Sequence, residues 1–450
     1  MITRFWQVLG WLVVGGWVAA PLRAGMDAGV AKRDITPDGP IRLTGYASRN
    51  TETTEIAQRL WAKAVALWPG DGPPAVLVTV DNCGVCAPIT EEVARRVEKK
   101  AHLSRDRLVI CSSHTHSGPQ TRGFAPNIFA ADIPAEQAAR IERYSDRLTD
   151  DLEAVVLAAL ADRQLATVSW NEGQAGFAKN RRTEGGPVDH ALPVLCVRHP
   201  DGRPRAIVAN YACHCTTLHG EPNHIHGDWA GCAQEELERL FPGATALITI
   251  GCGADANPHP RGSVDLARQH GAGLATAVRE TLAQSPTSLP PTLRCALRRV
   301  DLPFQKLPTT AEWETRAQDT EIVGYHARKR LAQLRDGITL PTALPYVVQT
   351  WVFNRGPDDD ALALVFLAGE VVVDYAVRLK KETADRRGPP LWITAYANDV
   401  PCYIPSRRIL AEGGYEAESS LWYYDRPARL APACEDIVIQ TIHELLAPAR

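Results

Sequence analysis

The run Leu108-Val-Ile-Cys-Ser-Ser-His114-Thr-His116-Ser-Gly-Pro119 decides how the rest of the chain is read. Apolar residues that stop in His-x-His read as a strand end. On an extended backbone every second side chain shares a face, so both imidazoles are expected to point the same way. Two neutral imidazoles so placed suit a zinc ion, while a polar strand end is the plainer explanation of the same residues. Four later segments also run apolar and then stop in polar, ligand-capable residues.

With 450 residues the chain can bury at least one large core. A net charge of -3 with both signs mixed argues against a nucleic-acid partner, which selects for a basic stripe. Internal repeats and long linkers are absent from the sequence, which predicts one unit over residues 25–450. Met1-Ile-Thr-Arg4, an apolar stretch over residues 5–20 and Pro21-Leu-Arg-Ala24 form the pattern of a secretory signal peptide. Cleavage after Ala24 and export to the periplasm or medium are expected, leaving no integral membrane segment; an uncleaved anchor is the alternative. The eleven cysteines mostly stand singly in apolar runs and read as core residues. Cys83-Gly-Val-Cys86 and Cys213-His-Cys215 could be redox or thiolate-metal elements, but no second C-x-x-C completes a structural zinc site.

A hairpin is predicted over 62–68 and 75–81, turning at Pro69-Gly-Asp-Gly-Pro-Pro74. Further strands are expected at 206–212, 246–250, 347–354, 361–367 and 391–397. Helices are expected at 89–101, 134–161, 230–240, 266–283, 311–335, 371–381 and 435–446. This alternation predicts an α/β fold, a mixed β-sheet core flanked by helices, with the charged 313–335 stretch a solvated insertion. In such folds, side chains just past strand ends gather in a crevice.

The second strand end is Asn210-Tyr-Ala-Cys-His214-Cys, followed by His219 and by Asn223-His-Ile-His226-Gly-Asp228. Four of the thirteen histidines lie here, which suggests metal binding or proton transfer. A metal held by His219, His224 and His226, with His114 structural, is therefore one reading. Gly251-Cys-Gly-Ala-Asp255-Ala-Asn257-Pro258 is the third end, where Asp255 could orient a ligand histidine or simply form a turn. The fourth, Phe366-Leu-Ala-Gly369-Glu370, sets a carboxylate at an expected helix start, where favourable interaction with the helix dipole is the plainer reading. The fifth is Tyr396-Ala-Asn398-Asp-Val-Pro-Cys-Tyr403-Ile, whose tyrosines also suit a core.

Together these segments resemble the neutral ceramidase family, zinc-dependent amidases that cleave the N-acyl bond of ceramide. The likeness runs from about Gly29-Val-Ala-Lys-Arg-Asp-Ile-Thr-Pro and Leu43-Thr-Gly-Tyr46 to Ala447, centred on Ser113-His-Thr-His-Ser-Gly-Pro119. The resemblance implies one Zn²⁺ held by His114, His214, Glu370 and Tyr403, with Asp228 beyond His214. It implies His116 as the catalytic acid/base and Arg181, in Asn180-Arg181-Arg182, as a substrate-holding group. Tyr415, in Gly414-Tyr415-Glu-Ala417, matches the family's second tyrosine. Two departures concern the substrate: Asn257 stands where the family has a serine, and the chain is expected to have no room for the family's C-terminal immunoglobulin-like domain.

Such an ion lowers the pKa of a bound water to about 7, so hydroxide can attack a carbonyl. His116 would take the proton and return it to the leaving amine, with Arg181 and Tyr415 stabilising the oxyanion. Asn257 is no nucleophile, but its amide can donate a hydrogen bond to an oxyanion. The expected activity is amide hydrolysis of an N-acyl small molecule or lipid. The alternatives are a zinc esterase, lactonase or deacetylase on a non-sphingolipid substrate, and a non-catalytic zinc-containing surface protein.

Overall fold

The computed structural model describes residues 26–356 and 359–447, so the expected signal peptide of residues 1–24 lies outside the described residues. In chain order the strands are β1 (Met26–Asp34), β2 (Trp61–Trp68), β3 (Ala75–Val80), β4 (Leu108–Ser112), β5 (Gln164–Gln174), β6 (Ala178–Asn180), β7 (Ala191–Arg198), β8 (Pro204–Tyr211) and β9 (Thr245–Ile250). They continue as β10 (Ala256–Pro258), β11 (Thr287–Ser288), β12 (Leu293–Pro303), β13 (Ala343–Gly356), β14 (Asp359–Leu367), β15 (Glu370–Val371), β16 (Leu391–Thr394) and β17 (Tyr403–Ile404).

The α/β class is as expected, but there are two large mixed sheets where the sequence reading expected one. The first has the order β4-β3-β2-β1-β5-β7-β8-β9, with β11 against β5; the second has the order β12-β13-β14-β16. Their apolar faces meet: Val65, Leu77, Leu195 and Val208 of the first join Trp351, Phe353, Leu364 and Trp392 of the second in one buried cluster. Alternation explains this, because the intervening side chains point the other way. On the first sheet those outward residues, such as Ala64, Val78 and Ile110, pack on helices Ala87–Ala101 and Ala135–Ala161. On the second, Val348, Val365 and Leu367 pack with Tyr375 and Leu379 of helix Val373–Asp385 and with Val438 and Ile442 of helix Ala433–Leu446.

The hairpin forms as its turn chemistry demands, with Gly70 at φ 55° and Gly72 N–H donating to the Pro69 carbonyl at 2.9 Å. Within the two large sheets three strand pairs are parallel, β3 with β4, β8 with β9 and β14 with β16, and a helix carries each crossover. Residues 395–397, read from sequence as strand, lie beyond β16 and with Asn398 join the two edge strands of the first sheet. Ala395 N–H donates to the Ile250 carbonyl at 2.8 Å, and Asn398 N–H to the Ile110 carbonyl at 2.7 Å.

The long strands β1, β5, β7 and β12 escaped the sequence reading, as did the short β6, β10, β11, β15 and β17. The helix expected over 311–335 is two, Thr310–Arg316 and Ile322–Arg335. Thr309 and Glu312 form a reciprocal cap that starts the first, and Asp319 accepts the Glu321 N–H in the break between them. This insertion is not merely solvated: Trp313, Ala327, Leu331 and Leu340 bury one another in a small core of their own. The eleven cysteines are free thiols, ten of them buried.

Candidate metal and catalytic site

His114, His214, Glu370 and Tyr403, from both sheets, come together. The Glu370 Oε2 atom lies 3.1 Å from His114 Nε2 and 3.1 Å from His214 Nε2. The Tyr403 hydroxyl is 3.3 Å from His214 Nε2. Each of these two histidines gives its other nitrogen to a backbone carbonyl: His114 Nδ1–H to Cys83 O at 2.6 Å, and His214 Nδ1–H to Gly253 O at 3.0 Å. Those bonds commit both Nδ1 protons, so each ring turns its Nε2 toward the carboxylate.

The backbone explains the convergence, and not in the way the sequence suggested. β4 stops at Ser112, and His114 adopts φ 59°, so the His-x-His pair is not extended. The two rings stand at 89°, with their Nε2 atoms 3.1 Å apart. Left-handed backbone at a non-glycine residue costs about 1–3 kcal/mol and gathers at functional sites. His114, Asp228, Tyr396 and Asn398 all carry positive φ here. Glu370 does not begin a helix either. It lies in β15, paired in parallel with β17 so that Glu370 stands directly opposite Tyr403, and the helix starts later at Val373.

His116 is half-buried, with Nδ1–H donated to the Gly45 carbonyl at 3.0 Å. Arg181 donates from Nε to Glu416 at 2.8 Å and from Nη2 to the Tyr403 hydroxyl at 3.2 Å. Its guanidinium lies 5.5 Å from the Tyr403 ring and 5.4 Å from the Tyr415 ring. Asn257 sits on β10, and its Oδ1 accepts from the Thr216 hydroxyl at 3.2 Å, which leaves the amide N–H₂ as a free donor.

Burial dominates the electrostatics. It lowers His116 well below its ordinary value, with His114 and His214 adding to the effect. His214 is held down at about 4 by burial and then by Arg181. At His114, burial opposes, but the neighbouring Cys83 and Glu370 raise the pKa to about 10. Glu370 stays ionised well below the carboxylate range, since the two imidazoles outweigh its burial. Two imidazole Nε2 atoms, one carboxylate and a phenol facing one another make a donor set that suits a divalent cation of the zinc kind, which would displace the proton His114 otherwise holds.

Several expectations change. Asp255 does not orient His214: it accepts from Val373 N–H at 2.9 Å and from Asn180 Nδ2 at 3.2 Å. His226 Nδ1 accepts the Asp228 N–H at 2.8 Å. That directs its proton to Nε2 and spends the lone pair a metal would need. Among the described residues the groups close enough to hold a metal are His114–His214–Glu370 and Cys83–His114–His116, without His219, His224 or His226. Asp228 instead accepts from Thr217, Leu218 and Trp229 N–H groups and stitches the loop beyond His214. The sequence reading missed Tyr424, whose hydroxyl donates to Glu370 Oε1. Its position after Tyr423 in a polar segment carries no pattern that could have singled it out.

Residues 26–247 match the family described as neutral/alkaline non-lysosomal ceramidase, N-terminal. That stretch, just under half of the chain, is similar to the family. Glu370 and Tyr403 fall beyond the matched stretch. Among relatives, neutral ceramidase A of Dictyostelium discoideum is 23% identical over 236 residues, 48% of this chain and 32% of that one. Neutral ceramidase B of the same organism is 24% identical over 228 residues, 47% of this chain and 31% of that one. The chain thus spans about a third of the length of these curated relatives. The crystal structure of neutral ceramidase from Pseudomonas aeruginosa shares the fold, with a TM-score of 0.73 at 18% identity over 95% of this chain and 76% of that one.

Proposed function

We propose that this chain is a member of the ceramidase family and an exported, zinc-dependent amidohydrolase that cleaves the N-acyl bond of a lipid or small-molecule amide. One observation carries the reading: His114 Nε2 and His214 Nε2 both stand 3.1 Å from Glu370 Oε2, with their Nδ1 protons already given to carbonyls. His114, His214, Glu370 and Tyr403 would hold the ion. When bound, it would supply Lewis acidity, polarising a carbonyl and lowering the pKa of water.

The chain's own residues supply the rest. His116, neutral through burial and with Nδ1–H tied to Gly45, offers Nε2 to take a proton from the attacking water and pass it to the departing amine. Arg181, fixed by Glu416, and Tyr415 offer donors to the oxyanion, each such donor typically contributing about 3–4 kcal/mol. Asn257, its carbonyl oxygen engaged by Thr216, points a donor rather than a nucleophile. That favours direct hydrolysis by water over an acyl-enzyme.

The test is Glu370→Gln beside His116→Ala. Glu370→Gln should lose both metal and amide turnover, while His116→Ala should keep metal and lose turnover by about 10²–10⁴-fold. Metal retained in Glu370→Gln at full activity would end the reading. Matched N-acyl sphingosine, N-acyl amino acid and ester substrates would fix the class acted on.

A further inference from the structure

We propose that Arg49 is a positioning residue that holds His116 in its working orientation; the inference rests on the acid/base role given to His116 above. Arg49 is 2% exposed, and its side chain donates to five neutral acceptors. These are the Thr44 carbonyl at 3.1 Å, Gly220 carbonyl at 2.9 Å, His219 carbonyl at 3.3 Å, Ser117 hydroxyl at 3.2 Å and the carbonyl of His116 itself. A guanidinium has five N–H bonds, so this set can use its full fork. Its burial carries a desolvation cost, which pulls its pKa down. A cation retained in so dry a place without a carboxylate bonded to it is matched to its surroundings.

Its acceptors lie on three chain segments, one of which carries His116 and another of which leads into Gly45 and Tyr46 beside it. The guanidinium lies 5.1 Å from the Tyr46 ring, and that ring stands 5.1 Å from the His116 ring. Gly45, between Thr44 and Tyr46, accepts the His116 Nδ1 proton. It must be glycine: φ is +90°, and a Cβ would fall 2.5 Å from His116 Cγ. Arg49 therefore fixes the carbonyl of His116, the residue before Gly45 and the ring that flanks the imidazole. Neither its hydrogen bonds nor its ring contact includes His114, His214, Glu370 or Tyr403 side chains.

The experiment compares Arg49→Gln and Arg49→Lys with His116→Ala in zinc-loaded protein, using a fluorogenic N-acyl amide as probe. It also records the ¹H–¹⁵N imidazole spectrum and thermal unfolding. Arg49→Gln should bind one equivalent of zinc, keep KM within about twofold and lose about 10- to 100-fold in kcat, the scale of a misplacement near 1 Å. The His116 Nδ1–H resonance should move or vanish while those of His114 and His214 stay. Arg49→Lys, with charge but no fork, should recover only part of kcat. Should Arg49→Gln fold poorly, the same spectrum and kcat of Arg49→Lys decide. Unchanged kcat and an unmoved His116 resonance in either folded variant, or a kcat loss that tracks zinc loss, would overturn the proposal. If His116→Ala itself turned over normally, the functional reading would fail and not this inference alone.

Discussion

Tyr424 illustrates how single contacts tune the site. Its hydroxyl donates to the Glu370 oxygen that does not face the histidines. Groups that hold a ligand from behind commonly contribute 10- to 100-fold in metal affinity. Tyr424→Phe should therefore weaken zinc binding by about that factor, read by chelator competition, with little change in unfolding temperature. His226 makes a pH prediction. Burial holds its pKa at about 4, against 6.5 in the unfolded chain. Between those values the unfolded state binds the extra proton, so the stability the neutral ring confers is complete above pH 6.5 and is lost as pH falls toward 4. The loss is at most about 3 kcal/mol. In His226→Asn the new carbonyl oxygen replaces Nδ1 as acceptor for the Asp228 N–H and takes up no proton. Urea unfolding over this window should show a slope shallower by up to one proton; an identical slope would remove His226 as its source.

At the scale of elements, β15 against β17 is only two residues on each side, yet it sets Glu370 opposite Tyr403. Gly369 makes the turn into it with φ +81°, and a Cβ there would sit 2.7 Å from the Cys402 carbonyl. Gly369→Ala should lose about 1–2 kcal/mol from backbone strain alone and should also cost zinc, because Glu370 would shift with the strand. Equilibrium denaturation and metal content, measured together, check this. The strand ends were legible because β4, β8, β9 and β14 are apolar runs followed by abrupt polarity. β12 was not: Arg294 and the adjacent Arg298 and Arg299 break up both an apolar run and a clean alternation, and its side chains are mostly half-buried or exposed. β7 carries Pro193, which argues against an interior strand when read alone. The spacing of His114 and His116 singled out two residues that the fold brings into the donor cluster, but a left-handed backbone rather than strand alternation aims them. Gly253 and Cys83 act through their carbonyls, and Arg49 through mostly backbone acceptors, none of which sequence patterns display.

For the whole molecule, the layer between the two sheets is where stability and site geometry meet. Phe353 is fully buried there, beside Trp351 and Leu364. Phe353→Ala should cost about 3–5 kcal/mol by chemical denaturation. Among the described residues no helix is long and apolar enough to cross a membrane. The four-donor cluster spans both sheets: two imidazoles follow strands of the first, while the carboxylate and the phenol belong to segments that follow strands of the second. A ribosome delivers those halves in sequence. His214 and Glu370 are 156 residues apart, so the donors can meet only after both halves have closed on each other, and metal content would report the finished assembly rather than either half alone.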